Sequence, residues 1–111
     1  MAYAFALPIP AGKTDAVRRF GEECLGPRKA EYDDLQRRSG VVEESYWLQH
    51  ESERGDTLIV VSDSDPDAGT EVMANPQTDF DRWFRDQMIE IFGKDPAEDW
   101  GRNELLGTWK A

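Results

Sequence analysis

Apolar positions at the start of the chain alternate over residues 3–9, with Tyr3, Phe5, Leu7 and Ile9 on one side and Ala4 and Ala6 on the other. That period of two predicts a strand with neither face polar. Pro8, Pro10 and Gly12 end it, and Thr14 is placed to cap a helix beginning at Asp15, whose buried stripe is Val17, Phe20 and Cys24. Gly26 and Pro27 break the helical pattern, because proline lacks an amide hydrogen and its ring clashes with the carbonyl four residues back. A second segment turns Tyr32 and Leu35 inward, places Arg37 and Arg38 near the negative end of the helix dipole and stops at Gly40.

Two strand-like runs, 42–52 and 57–63, flank Glu53-Arg54-Gly55-Asp56, a hairpin signal. With Arg54 and Gly55 as the two central loop residues, His50 is expected opposite Ile59, Leu48 opposite Val61 and Tyr46 opposite Asp63, all on one face. Trp47, Gln49, Leu58 and Val60 then share the other, so both faces carry large apolar groups. Asp65 and Pro66 start a short helix through about residue 74. Thr78 and Asp81 stand at capping-box spacing before a stronger helix, in which Phe80, Trp83, Phe84, Met88 and Ile91 form a core stripe ended by Gly93. Residues 94–102 read as a loop with Trp100 as a lid or plug, and 104–109 as a last strand.

The order strand, helix, strand, strand, helix, strand predicts an α+β fold: a ferredoxin-like βαββαβ domain spanning 1–111, a four-stranded antiparallel sheet with helices on one face. Helices cover only one side of a sheet, yet these strands are apolar on both. A homodimer in which two sheets pack face to face, a dimeric α+β barrel, is the economical solution.

Composition narrows the partners. A chain of 111 residues is long enough for one real core, burying roughly 65% of its unfolded surface. Net charge is −10, which disfavours nucleic acid and anionic membrane surfaces, since both are bound by Lys and Arg neutralising phosphate. With no targeting or spanning segment in view, the expectation is a soluble cytoplasmic protein. Cys24 is the single cysteine, so an internal disulfide and a two-cysteine metal site are excluded; it reads as a buried structural thiol.

The element order, the strand YWLQH leading through a glycine hairpin to TLIVV, and the helix FDRWFRDQMIEIFG together resemble small bacterial proteins of the dimeric α+β barrel (ferredoxin-like) superfamily. More narrowly they resemble an uncharacterised, actinobacterial-type family of that superfamily. The resemblance spans about residues 3–93. It implies a homodimer with a barrel cavity and, across the superfamily, chemistries from cofactor-free oxygenation to isomerisation and haem degradation. No catalytic motif carries over residue by residue, so no cofactor is expected.

Within such a cavity the candidate base is His50, the single histidine, whose ordinary pKa near 6.5 suits proton transfer at neutral pH. Tyr46 and Asp63 are candidate ligand-binding groups on its face, about 13 Å along the strand and so outside one hydrogen-bonded dyad. Arg28 after the helix break is a candidate for an anionic ligand, and Trp47 and Trp109 for lining a pocket. Each has a plainer reading: a solvated imidazole, an interface tyrosine, an ion-paired arginine, core tryptophans. One histidine among scattered carboxylates lacks the spacing of a metal site. Two functions stay open: binding of a small, partly apolar molecule with cofactor-free oxygenase or isomerase chemistry, and a non-enzymatic dimerisation or ligand-sensing module.

Overall fold

The glycine and proline punctuation sets the element ends. The computed structural model describes residues 2–98, 101 and 103–111. It is an α+β fold of three strands and four helices: β1 (Ala2–Pro8), α1 (Thr14–Leu25), α2 (Lys29–Arg38), β2 (Glu43–Glu51), β3 (Gly55–Asp63), α3 (Pro66–Ala74) and α4 (Asp79–Phe92). Trp100, expected as a lid or plug, lies outside the described residues. No helix among those described is long and apolar enough to cross a membrane.

The helix break between α1 and α2 falls at Gly26-Pro27 as the pattern predicts. Gly26 is required there for space: a Cβ on it would lie 2.8 Å from the Glu22 carbonyl oxygen. Caps differ from expectation in two places. Thr14 is the first residue of α1 rather than its cap, and its hydroxyl donates instead to Asp56 Oδ2 at 2.6 Å. Thr78 does cap α4, accepting from the Asp81 amide at 3.0 Å. Asp81 does not complete a capping box; its short side chain accepts from the Gln77 amide at 2.9 Å and takes both nitrogens of Arg38 at 2.7 and 2.8 Å. This fully buried carboxylate therefore ties α2 to the start of α4, and the Arg38 guanidinium lowers its pKa to about 2.

The sheet is antiparallel with β3 in the middle, in the order β1-β3-β2. The hairpin register corrects the expected one. Glu51 pairs with Gly55, so the loop is the three residues 52–54, and Gly55 at φ +83° supplies the left-handed residue that follows a turn of this length. Tyr46 consequently faces Val60, Leu48 faces Leu58 and His50 faces Asp56, while Trp47 pairs with Ile59 and Asp63 with Glu43. Every side chain of β3 thus lies on the opposite face from the one expected.

A second correction concerns the sheet's size. Residues 103–111 carry no regular secondary structure, so the expected strand over 104–109 is absent and the sheet has three strands rather than four. The segment does start beside the free edge of β1, where the Ala4 amide donates to Asn103 Oδ1 at 2.9 Å. Beyond that contact Leu105, Leu106 and Trp109 are all exposed.

Two clusters form the core. Cys24, Tyr32, Leu35, Met73 and Phe80, supported by Phe20, Trp83 and Phe84, knit the four helices together. Ile9, Val17 and Ile91 pack with Leu48 and Leu58 and fasten the helices to the hairpin end of the sheet. The helix-facing positions are therefore Tyr3, Phe5 and Leu7 on β1, Glu44, Tyr46 and Leu48 on β2, and Leu58, Val60 and Ser62 on β3, by the alternation of each strand.

Candidate functional site

A half-open cleft runs between the two layers and on to the outer face of the sheet, about 1520 Å³ over its whole extent. Its inner walls are apolar: Phe5, Leu7 and Val60 from the sheet, Phe20, Met73 and Phe84 from the helices. The same cavity continues to the outer face of the sheet, where Ala4, Trp47 and Val61 line it together with Leu105 and Thr108 of the C-terminal segment. An apolar cleft with few polar groups converging at one end has the anatomy of a small-molecule site.

Those polar groups come from α2 and from the far ends of β2 and β3. Tyr32 and Gln36 are one helical turn apart on the inner stripe of α2, while Glu44 and Tyr46 are two apart on β2, so all four point into the same space. Tyr46 donates to Glu44 Oε1 at 2.6 Å, and Gln36 Nε2 donates to the same oxygen at 3.0 Å. The hydroxyls of Tyr32 and Tyr46 are hydrogen-bonded to each other, and Gln36 Nε2 lies 3.1 Å from the Tyr32 oxygen. Ser62 donates to Glu44 Oε2 at 2.8 Å and is itself 2.7 Å from Ser64 Oγ. Burial first, and then the nearby Glu44 charge, raises the pKa of Tyr32, so this hydroxyl keeps its proton. Tyr46 is raised likewise, by burial first and then by Tyr32 and Glu44.

The other candidates lie elsewhere. His50 is 57% exposed at the hairpin end and does not line the cleft. The corrected register gives it an acid after all: its Nδ1 is 2.8 Å from Asp56 Oδ1, and Thr14 holds the other oxygen of that carboxylate. His50 borders a shallow depression formed by the hairpin's own turn, residues 51–54. Asp63 is on the outer face, opposite to Tyr46, because of the register change. Arg28 takes Glu31 with two nitrogens, at 3.0 and 3.1 Å, and stacks over Phe80 and Trp83 with its guanidinium carbon 4.8 and 4.5 Å from the ring centres. It clamps the helix break rather than facing the cleft. Trp47 lines the outer part of the cavity and is 64% exposed; Trp109 is on the C-terminal segment, away from the cavity wall. Of the six candidates, Tyr46 and Trp47 reach the cleft.

Glu44, Tyr32, Gln36, Ser62 and Ser64 escaped the sequence reading. One signal was present: Glu44 shares the alternation of Tyr46 and Leu48, which puts a carboxylate on an otherwise apolar strand face. Cys24 also lines the cleft, but burial pushes its thiol up to about 12, which leaves it protonated and unreactive. Among the described residues no group of three His, Cys, Asp or Glu side chains is arranged to hold a metal ion.

Fold and cleft together define the class: an α+β protein with a ligand-sized space between its sheet and its helices. Comparisons with family models, curated proteins and solved structures returned no match for this chain.

Proposed function

We propose that the protein binds a small, partly apolar molecule in the cleft between sheet and helices, with the Tyr32–Gln36–Glu44–Tyr46 cluster holding its polar end. The observation that carries this reading is the cleft between sheet and helices, with apolar walls and one convergent polar cluster. A non-enzymatic binding or sensing role is favoured over turnover by one specific fact. Glu44, the carboxylate of the cluster, already accepts hydrogen bonds from Tyr46, Gln36 and Ser62, and His50 is outside the cleft. Cofactor-free oxygenation or isomerisation is the chemistry to assay once a ligand is in hand.

The same reading takes the working form to be a homodimer of the dimeric α+β barrel type. Support comes from the outer sheet face, where Trp47 and Val61 are exposed beside the small side chains of β1, and from the exposed leucines and tryptophan of residues 103–111. The order β1-β3-β2 leaves the free edge of β1 for a fourth strand, which is where Asn103 is tethered. A second copy laid on this face would bury both apolar sets at once.

Calorimetric titration with 1-naphthol, an apolar probe with one hydroxyl, tests the binding site. Micromolar binding is expected to the wild type, with at least a tenfold loss in Val60→Trp, which fills the inner wall. Equal binding to both proteins would place the probe elsewhere and remove the reading.

A further inference from the structure

The proton order in the polar cluster is fixed by its hydrogen bonds. A carboxylate accepts only, so the single hydrogen of Tyr46 is spent on Glu44 Oε1. Tyr46 then has none left for Tyr32, and in the bond between the two hydroxyls Tyr32 must be the donor. Gln36 brings two more hydrogens, directed at Glu44 and the tyrosine oxygens. The same logic runs along β3: Ser62 gives its hydrogen to Glu44 Oε2, so Ser64 must donate to Ser62.

Two chains of hydroxyls, Tyr32–Tyr46 and Ser64–Ser62, therefore converge on one carboxylate, and each hydrogen in them is spent within the cluster. What remains is acceptor capacity alone: a lone pair on Tyr32, one on Glu44 Oε2 and those on Ser64. All three residues line the cleft. A ligand carbonyl or carboxylate placed there would meet oxygens and a negative charge with no hydrogen to share, leaving its own polar atom desolvated and unpaired.

We propose, resting on the reading of the cleft as a ligand site, that Glu44 acts through Tyr46 and Tyr32 to make its polar end acceptor-only. The cleft selects neutral apolar molecules that present a hydroxyl or N–H, and rejects ketones, ethers and anions of the same shape. Tyr32 and Ser64 touch the ligand, and Glu44 and Tyr46 are positioning residues that set the direction of the hydrogen bonds. Sites that hydrogen-bond a ligand hydroxyl discriminate strongly against analogues lacking it, because the site's own groups are left unpaired.

The test compares 1-naphthol with 1-methoxynaphthalene by calorimetric titration of the wild type, Glu44→Gln and Tyr46→Phe. The wild type is expected to prefer the naphthol at least tenfold. In Glu44→Gln the amide N–H can donate to Tyr46, which reverses the chain and turns the Tyr32 hydrogen toward the cleft, so the preference should fall to about threefold or less. Tyr46→Phe removes the acceptor for Tyr32 while keeping the Glu44 charge, and should lower the preference in the same way. An undiminished preference for naphthol in both variants overturns the proposal while leaving the ligand site intact. Failure of both probes to bind the wild type overturns the ligand site itself and this inference with it. Should Glu44→Gln not fold, Tyr46→Phe alone decides.

Discussion

Asp81 is where a single residue's chemistry is most consequential for the fold. Its carboxylate is fully buried and held by two Arg38 nitrogens and the Gln77 amide, and its pKa falls to about 2. A carboxylate whose folded pKa lies below its unfolded value near 3.9 adds stability above that value and loses it as pH falls toward about 2. Asp81→Asn should therefore cost about 2–3 kcal/mol near neutral pH by urea unfolding. The gap between variant and wild type should close between about pH 4 and pH 2; a gap constant over that range would show that the ion pair is not the source. From the sequence Asp81 was legible only as a weak capping-box partner. Its true partner is 43 residues away and belongs to another helix, a pairing that no local pattern encodes.

Among the elements, the helix break and the hairpin carry opposite lessons. The break at Gly26-Pro27 was legible because it depends on proline geometry and on local backbone space. Gly26→Ala should destabilise the protein by about 1 kcal/mol or more, read from the urea midpoint, since the new Cβ meets backbone at 2.8 Å. An unchanged midpoint would mean the break relaxes at no cost. The hairpin was legible as a hairpin, but its register was not. A two-residue loop centred on Arg54-Gly55 and a three-residue loop followed by Gly55 use the same glycine. A shift by an odd number of residues moves every side chain of one strand to the other face. That shift separated Asp63 from Tyr46, brought Asp56 to His50 and placed Ser62 beside Glu44.

For the molecule as a whole, the feature that asks for a partner is its exposed apolar residues. Trp47, Leu105, Leu106 and Trp109 are exposed on the outer sheet face and the C-terminal segment of one chain. If a second copy covers them, light scattering at micromolar concentration should report twice the chain mass. Removal of residues 103–111, or Trp47→Asp, should shift the mass to a monomer. A stable wild-type monomer would sink the dimer and leave the cleft open at its outer side. The expectation of a second apolar face came directly from the alternation in the strands. The expectation of a fourth strand came from the same kind of pattern and was not met within one chain.

What the sequence determined by itself is what short-range physics determines: the four helices, the three strands, the break after α1 and the stripe that makes the helical core. These follow from periodicity, from proline and glycine and from capping groups, all of which act within a few residues. Tertiary structure alone decided the hairpin register, the burial of Asp81 against Arg38 and the meeting of Tyr32 and Gln36 with Glu44, Tyr46 and Ser62. Each of those depends on which surfaces are brought together when the helical layer closes on the sheet, and side chains distant along the chain become neighbours only at that step.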